Sequence, residues 1–112
     1  MAVTIDEDKS GAVTIASISG RLDGSTASEL DDRLSAMVVP GVRLVLDMSG
    51  LDYVSSAGLR VFLKIAKQTK AAKGRLALSG ITETVLKVFE ISGFTAIFNI
   101  CPDRDSAAAA IA

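Results

Sequence analysis

Apolar positions along the chain follow two alternating rhythms. In AVTIASISG, residues 12–20, β-branched residues recur at near-alternate positions and a glycine closes the run, which predicts a strand. The opening AVTI, residues 2–5, predicts a short partner strand that turns through Lys9-Ser10-Gly11. The period then becomes helical. In STASELDDRLSAM, Ala27, Leu30, Leu34 and Met37 share one face, while Asp31, Asp32 and Arg33 point elsewhere. Thr26 and Glu29 have the spacing of a capping box, and Pro40-Gly41 stops the helix. VRLVLDM is continuously apolar at its centre, as an interior strand covered on both faces is. A short polar loop follows, with Ser55 and Ser56 directly before the longest helix, GLRVFLKIAKQTKAAK, for which Gly74 is the expected left-handed cap. RLALSG reads as a strand, TETVLKVFEIS as a helix capped by Thr82 and ended by Gly93, and TAIFNI as a last strand. DRDSAAAAIA is an alanine-rich terminal helix with Asp103 as its cap.

The order is β-β-α-β-α-β-α-β-α. Strands joined by single helices lie parallel through right-handed crossovers, and the first two, joined by a tight turn, pair antiparallel. The expected fold class is therefore α/β, a mixed sheet with helices packed against it. At 112 residues the chain is long enough for one domain, 1–112, and too short for two.

Composition removes several function classes. With no histidine and a single cysteine, Cys101, neither a Ser-His-Asp nor a Cys-His arrangement exists within the chain, and zinc sites of His and Cys are excluded. GRLDGS lacks the Lys-Ser/Thr of a phosphate-binding loop, and no GxGxxG follows a strand. No enzyme, cofactor or metal site is expected. The net charge of −1 gives no reason to invoke nucleic acid or an anionic membrane. One cysteine offers no disulfide framework, no apolar run reaches membrane-spanning length, and MAVTIDEDKSG is unlike a signal peptide. A cytoplasmic protein is expected, with Cys101 packed as a small hydrophobe.

Against this background DMSGLDYVSSAGLRVF resembles the signature of the STAS family, the domain of bacterial anti-sigma-factor antagonists: Asp-x-Ser, a few residues, then Asp-Ser-Ser-Gly-Leu before a helix. SGRLDGSTASEL is similar to the family's Gly-x-Leu-Asp-x-x-Thr-Ala segment, and VLKVFEISGF to its Phe-x-x-Ser-Gly-Leu/Phe segment. The likeness spans nearly the whole chain. It implies a STAS-like single domain that binds an anti-sigma factor with kinase activity, releases a sigma factor, and loses binding when a serine at the start of the long helix is phosphorylated. A phosphatase would reset the switch.

The resemblance places the phosphorylated serine at Ser56, with Ser55 as the alternative, because the family's Asp is Ser55 here and its second Ser is Ala57. It further implies a partner surface of Asp23, Ser25, Ser55, Gly58, Leu59, Arg60 and Lys64. Gly58, lacking a side chain, would let a phosphate or partner backbone approach closely. Arg60, one turn beyond Ser56 on a stripe with Lys64 and Lys67, is placed to meet a phosphate. Leu59, Phe62, Leu63 and Ala66 form the expected apolar face. Plainer readings stand beside these. Two serines before a helix form an N-cap pair, a Lys/Arg stripe is a solvated face, and Asp23, Asp47 and Ser49 are turn residues. A second function class uses the same domain as an accessory or scaffold subunit of a transporter, lipid-transfer or signalling complex.

Overall fold

A five-stranded mixed sheet organises the molecule, and the computed structural model describes residues 3–112. In chain order the elements are β1 (Val3–Ser10), β2 (Val13–Leu22), α1 (Ala27–Met37), β3 (Arg43–Val54), α2 (Ser56–Ala71), β4 (Arg75–Ser79), α3 (Glu83–Ile91), a 3-10 turn (Phe94–Ala96), β5 (Ile100–Cys101) and α4 (Arg104–Ile111). The strands lie in the order β1-β2-β3-β4-β5. The first pair is antiparallel and the remaining pairs are parallel, as the connections require. Ala2, at the start of the first expected strand, lies outside the described residues. The hairpin turns at Gly11, whose φ of 62° suits a residue without Cβ.

Alternation along β3 divides the core. Leu44, Leu46 and Met48 face α1, α2 and α3, while Val45 faces α4 with Val13, Ile15 and Ala77. All four phenylalanines meet under α3: Phe89 lies 6.0 Å from Phe62, 6.2 Å from Phe94 and 5.6 Å from Phe98, centroid to centroid. Phe62 and Phe89 are fully buried, each contributing about 1.5–3 kcal/mol by burial. The thin cover on the opposite face, Ala107 and Ile111 of α4, is supplemented by charge. Arg104 Nε donates to Asp47 Oδ2 at 2.5 Å, and its guanidinium also donates to the Ser17 hydroxyl.

Several local expectations are corrected. The polar stretch after Met48 is strand, since β3 continues to Val54 and pairs with β2 through two register shifts. Gly50 makes this possible, because a Cβ there would lie 2.5 Å from Ser19 Oγ. No capping box forms at α1. The Thr26 hydroxyl accepts from the Asp23 amide at 3.0 Å and donates to the Arg21 carbonyl at 2.9 Å, so it braces the preceding loop. The left-handed residue after α2 is Lys73, φ 59°, and Gly74 serves close approach instead: its Cβ would lie 2.4 Å from the Val42 carbonyl oxygen. TAIFNI is mostly not strand. Phe98 turns into the aromatic cluster, which leaves only Ile100–Cys101 to pair with β4. The caps at Thr82 and Asp103 form as expected, accepting from Val85 and Ser106 amides at 3.4 and 2.8 Å.

Among the described residues no helix is long and apolar enough to cross a membrane. No group of three or more His, Cys, Asp or Glu among them is arranged to hold a metal.

Candidate functional site

The serine pair stands where β3 ends and α2 begins. Parallel pairing of Leu22 with Val54 brings the ends of β2 and β3 level, so the chain leaves both strands side by side. The Ser55 amide then donates to the Leu22 carbonyl at 2.9 Å. Two connections are thereby juxtaposed, Asp23–Thr26 before α1 and Ser55–Ser56 at the start of α2.

The two serines have different commitments. Ser55 is the N-cap of α2, half-buried and extended at φ −90°, ψ 176°. Its hydroxyl accepts from the Gly58 amide at 3.4 Å, and its carbonyl accepts from the Leu59 amide at 3.0 Å. Ser56 is the first helical residue and is exposed, and its hydroxyl has no hydrogen-bond partner among the described residues. One serine holds the helix start, and the other presents its hydroxyl to solvent.

Gly58 and Leu59 support this surface from beneath, and their expected place on it is corrected. Gly58 is buried, and a Cβ there would lie 2.7 Å from Leu22 Cγ and Cδ2 and 3.2 Å from Val54 Cγ1. Its missing side chain admits Leu22. Leu59, only 6 % exposed, belongs to the core. The buried face of α2 centres on Phe62 and Ile65, with Leu63 and Ala66 at its margin.

Across from the serines, Asp23 Oδ1 accepts from the Ser25 hydroxyl at 2.7 Å and from the Ser25 amide at 2.9 Å. These bonds, the hydroxyl's foremost, hold the Asp23 carboxyl below its ordinary range. Asp23 and Ser25 thus form one rigid turn at the surface. Sequence reasoning missed the pair beside it. Arg21 and Tyr53 are cross-strand neighbours, the guanidinium lies 4.0 Å from the ring centroid, and Arg21 Nε is 3.4 Å from Asp23 Oδ2. Their signal was available only from the register of β2 on the extended β3.

Arg60 and Lys64 are both exposed on the stripe, but differently engaged. Lys64 Nζ lies 2.9 Å from each carboxylate oxygen of Asp31 on α1. That contact is the main reason the Asp31 carboxyl lies below its ordinary range. Arg60 makes no ion pair and no side-chain hydrogen bond among the described residues.

Comparisons with known proteins agree with this geometry. The family model for the STAS domain matches residues 4–107. BtrV of Bordetella bronchiseptica, which carries the name of a candidate anti-sigma factor antagonist, is 45% identical over 104 residues, 92% of this chain and 90% of that protein. The crystal structure of an anti-sigma factor antagonist from Mycobacterium paratuberculosis superposes with a TM-score of 0.86 at 23% identity, over 97% of this chain and 93% of that one. The Bacillus cell fate determinant SpoIIAA in its phosphorylated form gives a TM-score of 0.69 at 17% identity, over 96% and 99%. At such identities the two structures speak for the fold, and the family match and the BtrV likeness speak for kinship. The chain belongs to the STAS-domain family of anti-sigma-factor antagonists.

Proposed function

We propose that this chain binds an anti-sigma factor through the surface around Ser56, so that a sigma factor is released, and that phosphorylation of Ser56 by the kinase activity of that partner ends binding. One observation carries the reading: of two adjacent serines, Ser55 is engaged as a helix cap, and Ser56 presents an exposed hydroxyl without a hydrogen-bond partner among the described residues. In the transfer, Ser56 Oγ takes the phosphoryl group of ATP held by the kinase, and ADP leaves. The hydroxyl proton passes to a carboxylate base of the kinase. The Asp23-Ser25 turn and the Arg21–Tyr53 pair belong to the strand ends and connection that the Ser55–Leu22 bond sets beside the serines, and an arginine stacked on an aromatic ring is the kind of anchor that dominates protein interfaces. A separate phosphatase returns the protein to its binding form, and the setting is the cytoplasm. The likeness to BtrV favours this reading over an accessory role in a transporter or scaffold complex.

The test is recovery of the tagged protein from its native cell extract, with intact mass and phosphopeptide mapping on what is recovered. An anti-sigma kinase as partner, with phosphate on Ser56, supports the reading. Phosphate on Ser55 alone, or a permease and its ATPase as partners, contradicts it.

A further inference from the structure

Between α1 and α2 runs an open groove of about 280 Å³ that starts beside Ser56, at Ala57. Asp31 on α1 and Arg60 and Lys64 on α2 bring charge to it. These charges are unequally used. Lys64 lies 2.9 Å from both oxygens of Asp31, and the Ser35 hydroxyl also donates to that carboxylate at 2.9 Å. The groove's acid is thus already answered. Arg60 is left, among the described residues, as the lining cation without a counter-charge.

Its position gives this surplus a direction. Helical Cα–Cβ bonds tilt toward the N-terminus of their helix, which favours an approach of the Arg60 side chain to the turn carrying Ser56. Residues four apart on a helix have Cβ atoms about 5–6 Å from each other, well within the reach of an arginine. Lys64 cannot replace it, being eight residues from Ser56, about 12 Å along the axis, and held by Asp31.

We infer that Arg60 is the internal receptor for a phosphate on Ser56, so that modification adds an anion and at the same time withdraws the groove's one uncommitted cation. The guanidinium offers two parallel N–H donors to two phosphate oxygens, a geometry that an ammonium cannot match. In the unmodified protein Arg60 remains free to meet an acidic group of the partner. In the modified protein it is turned toward Ser56 and neutralised. The switch then changes two charges of the docking surface with one covalent event. This inference rests on Ser56 being the modified residue.

The test needs neither kinase nor partner. Phosphoserine is installed at position 56 by genetic encoding, and the phosphate is titrated by ³¹P NMR in the full chain. With Arg60 present the second phosphate ionisation should fall roughly 0.5 pH unit lower than in Arg60→Gln, the size expected of an exposed ion pair. Arg60→Lys should recover part of that difference. Lys67→Gln, which removes an equal charge about 16 Å from Ser56, should recover the full value of the parent. Identical titration with and without Arg60 overturns the inference. A kinase that modifies Ser55 in the extract would contradict the functional reading but leave this contact measurable, so the two failures are distinguishable.

Discussion

The backbone amide of Ser55 donates to the carbonyl of Leu22 at 2.9 Å, one residue beyond the last paired position of β2 and β3. That bond sets the height at which α2 begins and lays its first turn against the Leu22 side chain. It also sets the Ser55–Ser56 connection beside the one that begins at Asp23.

Gly58→Ala tests how tightly that turn is seated. A methyl at this position would sit 2.7 Å from a fully buried Leu22. Overpacking of about 1–3 kcal/mol competes with about 1 kcal/mol gained in helix propensity, so a net loss of roughly 1 kcal/mol is expected in urea unfolding. In a Leu22→Ala background the same change should become neutral or stabilising. An equal effect in both backgrounds would show that Leu22 is not what excludes the methyl.

Ser55→Ala and Ser56→Ala should separate capping from switching. The first removes the bond to the Gly58 amide and should cost about 0.5–1 kcal/mol, at the low end for a cap because 3.4 Å is long. The second touches no structural bond and should change stability little. Thermal melts of both variants check this, and a larger loss for Ser56→Ala would reverse the assignment of the two serines.

The clamp on α4 predicts a pH dependence. Burial raises the Asp47 carboxyl, but the Arg104 guanidinium and the Ser49 amide and hydroxyl outweigh it and hold the group below its ordinary value of 3.8. A depressed folded-state value stabilises the protein above the unfolded value, and the contribution fades as pH falls through 3.8 toward the lower folded value. Arg104 is partly exposed, so the contribution is modest, about 1–2 kcal/mol at neutral pH. Asp47→Asn should be destabilised by that amount at pH 7, and the difference from the parent should vanish in strong acid. A constant difference from pH 7 to pH 2 would mean that the Asp47 charge is irrelevant.

Phosphorylation itself should act without unfolding. Each phosphate brings about −1.5 to −2 charges to the first turn of α2, where free amides favour an anion. Far-UV circular dichroism should therefore be unchanged between unmodified and Ser56-phosphorylated protein. A loss of helix signal would turn the switch into a local melting event.

Much of this was legible from residue order. Periodicity, caps and composition located the four α-helices but not the 3-10 turn at Phe94–Ala96, and the alternation of strands and helices predicted the parallel pairings, because those follow from spacing and chirality. What escaped depended on contacts across the fold. The polar run Ser49–Val54 hid a strand, since its pairing with Ser19–Leu22 needs two register shifts that no local pattern announces. Gly58 looked like an opening for a partner because sequence could not show Leu22 filling it. Arg21 and Tyr53 lie far apart in sequence and meet only through that shifted register. Asp47 read as a turn residue, and its bond to the Ser49 amide is there, but its partner Arg104 comes from the last helix.

Titration calorimetry against the anti-sigma partner tests the account most directly, with the parent protein, Ser56→Ala, Ser56→Asp and the Ser56-phosphorylated form compared. A hydroxyl can be desolvated at an interface at modest cost, whereas burying a phosphate of about −1.5 to −2 charges, which one guanidinium neutralises only in part, costs several kcal/mol. A penalty of about 4 kcal/mol corresponds to roughly a thousandfold weaker binding. Ser56→Ala should bind like the unmodified parent, Ser56→Asp more weakly, and the phosphoprotein weakest of all. Equal affinity across all four would leave Ser56 an ordinary helix-start residue and contradict the proposed switch.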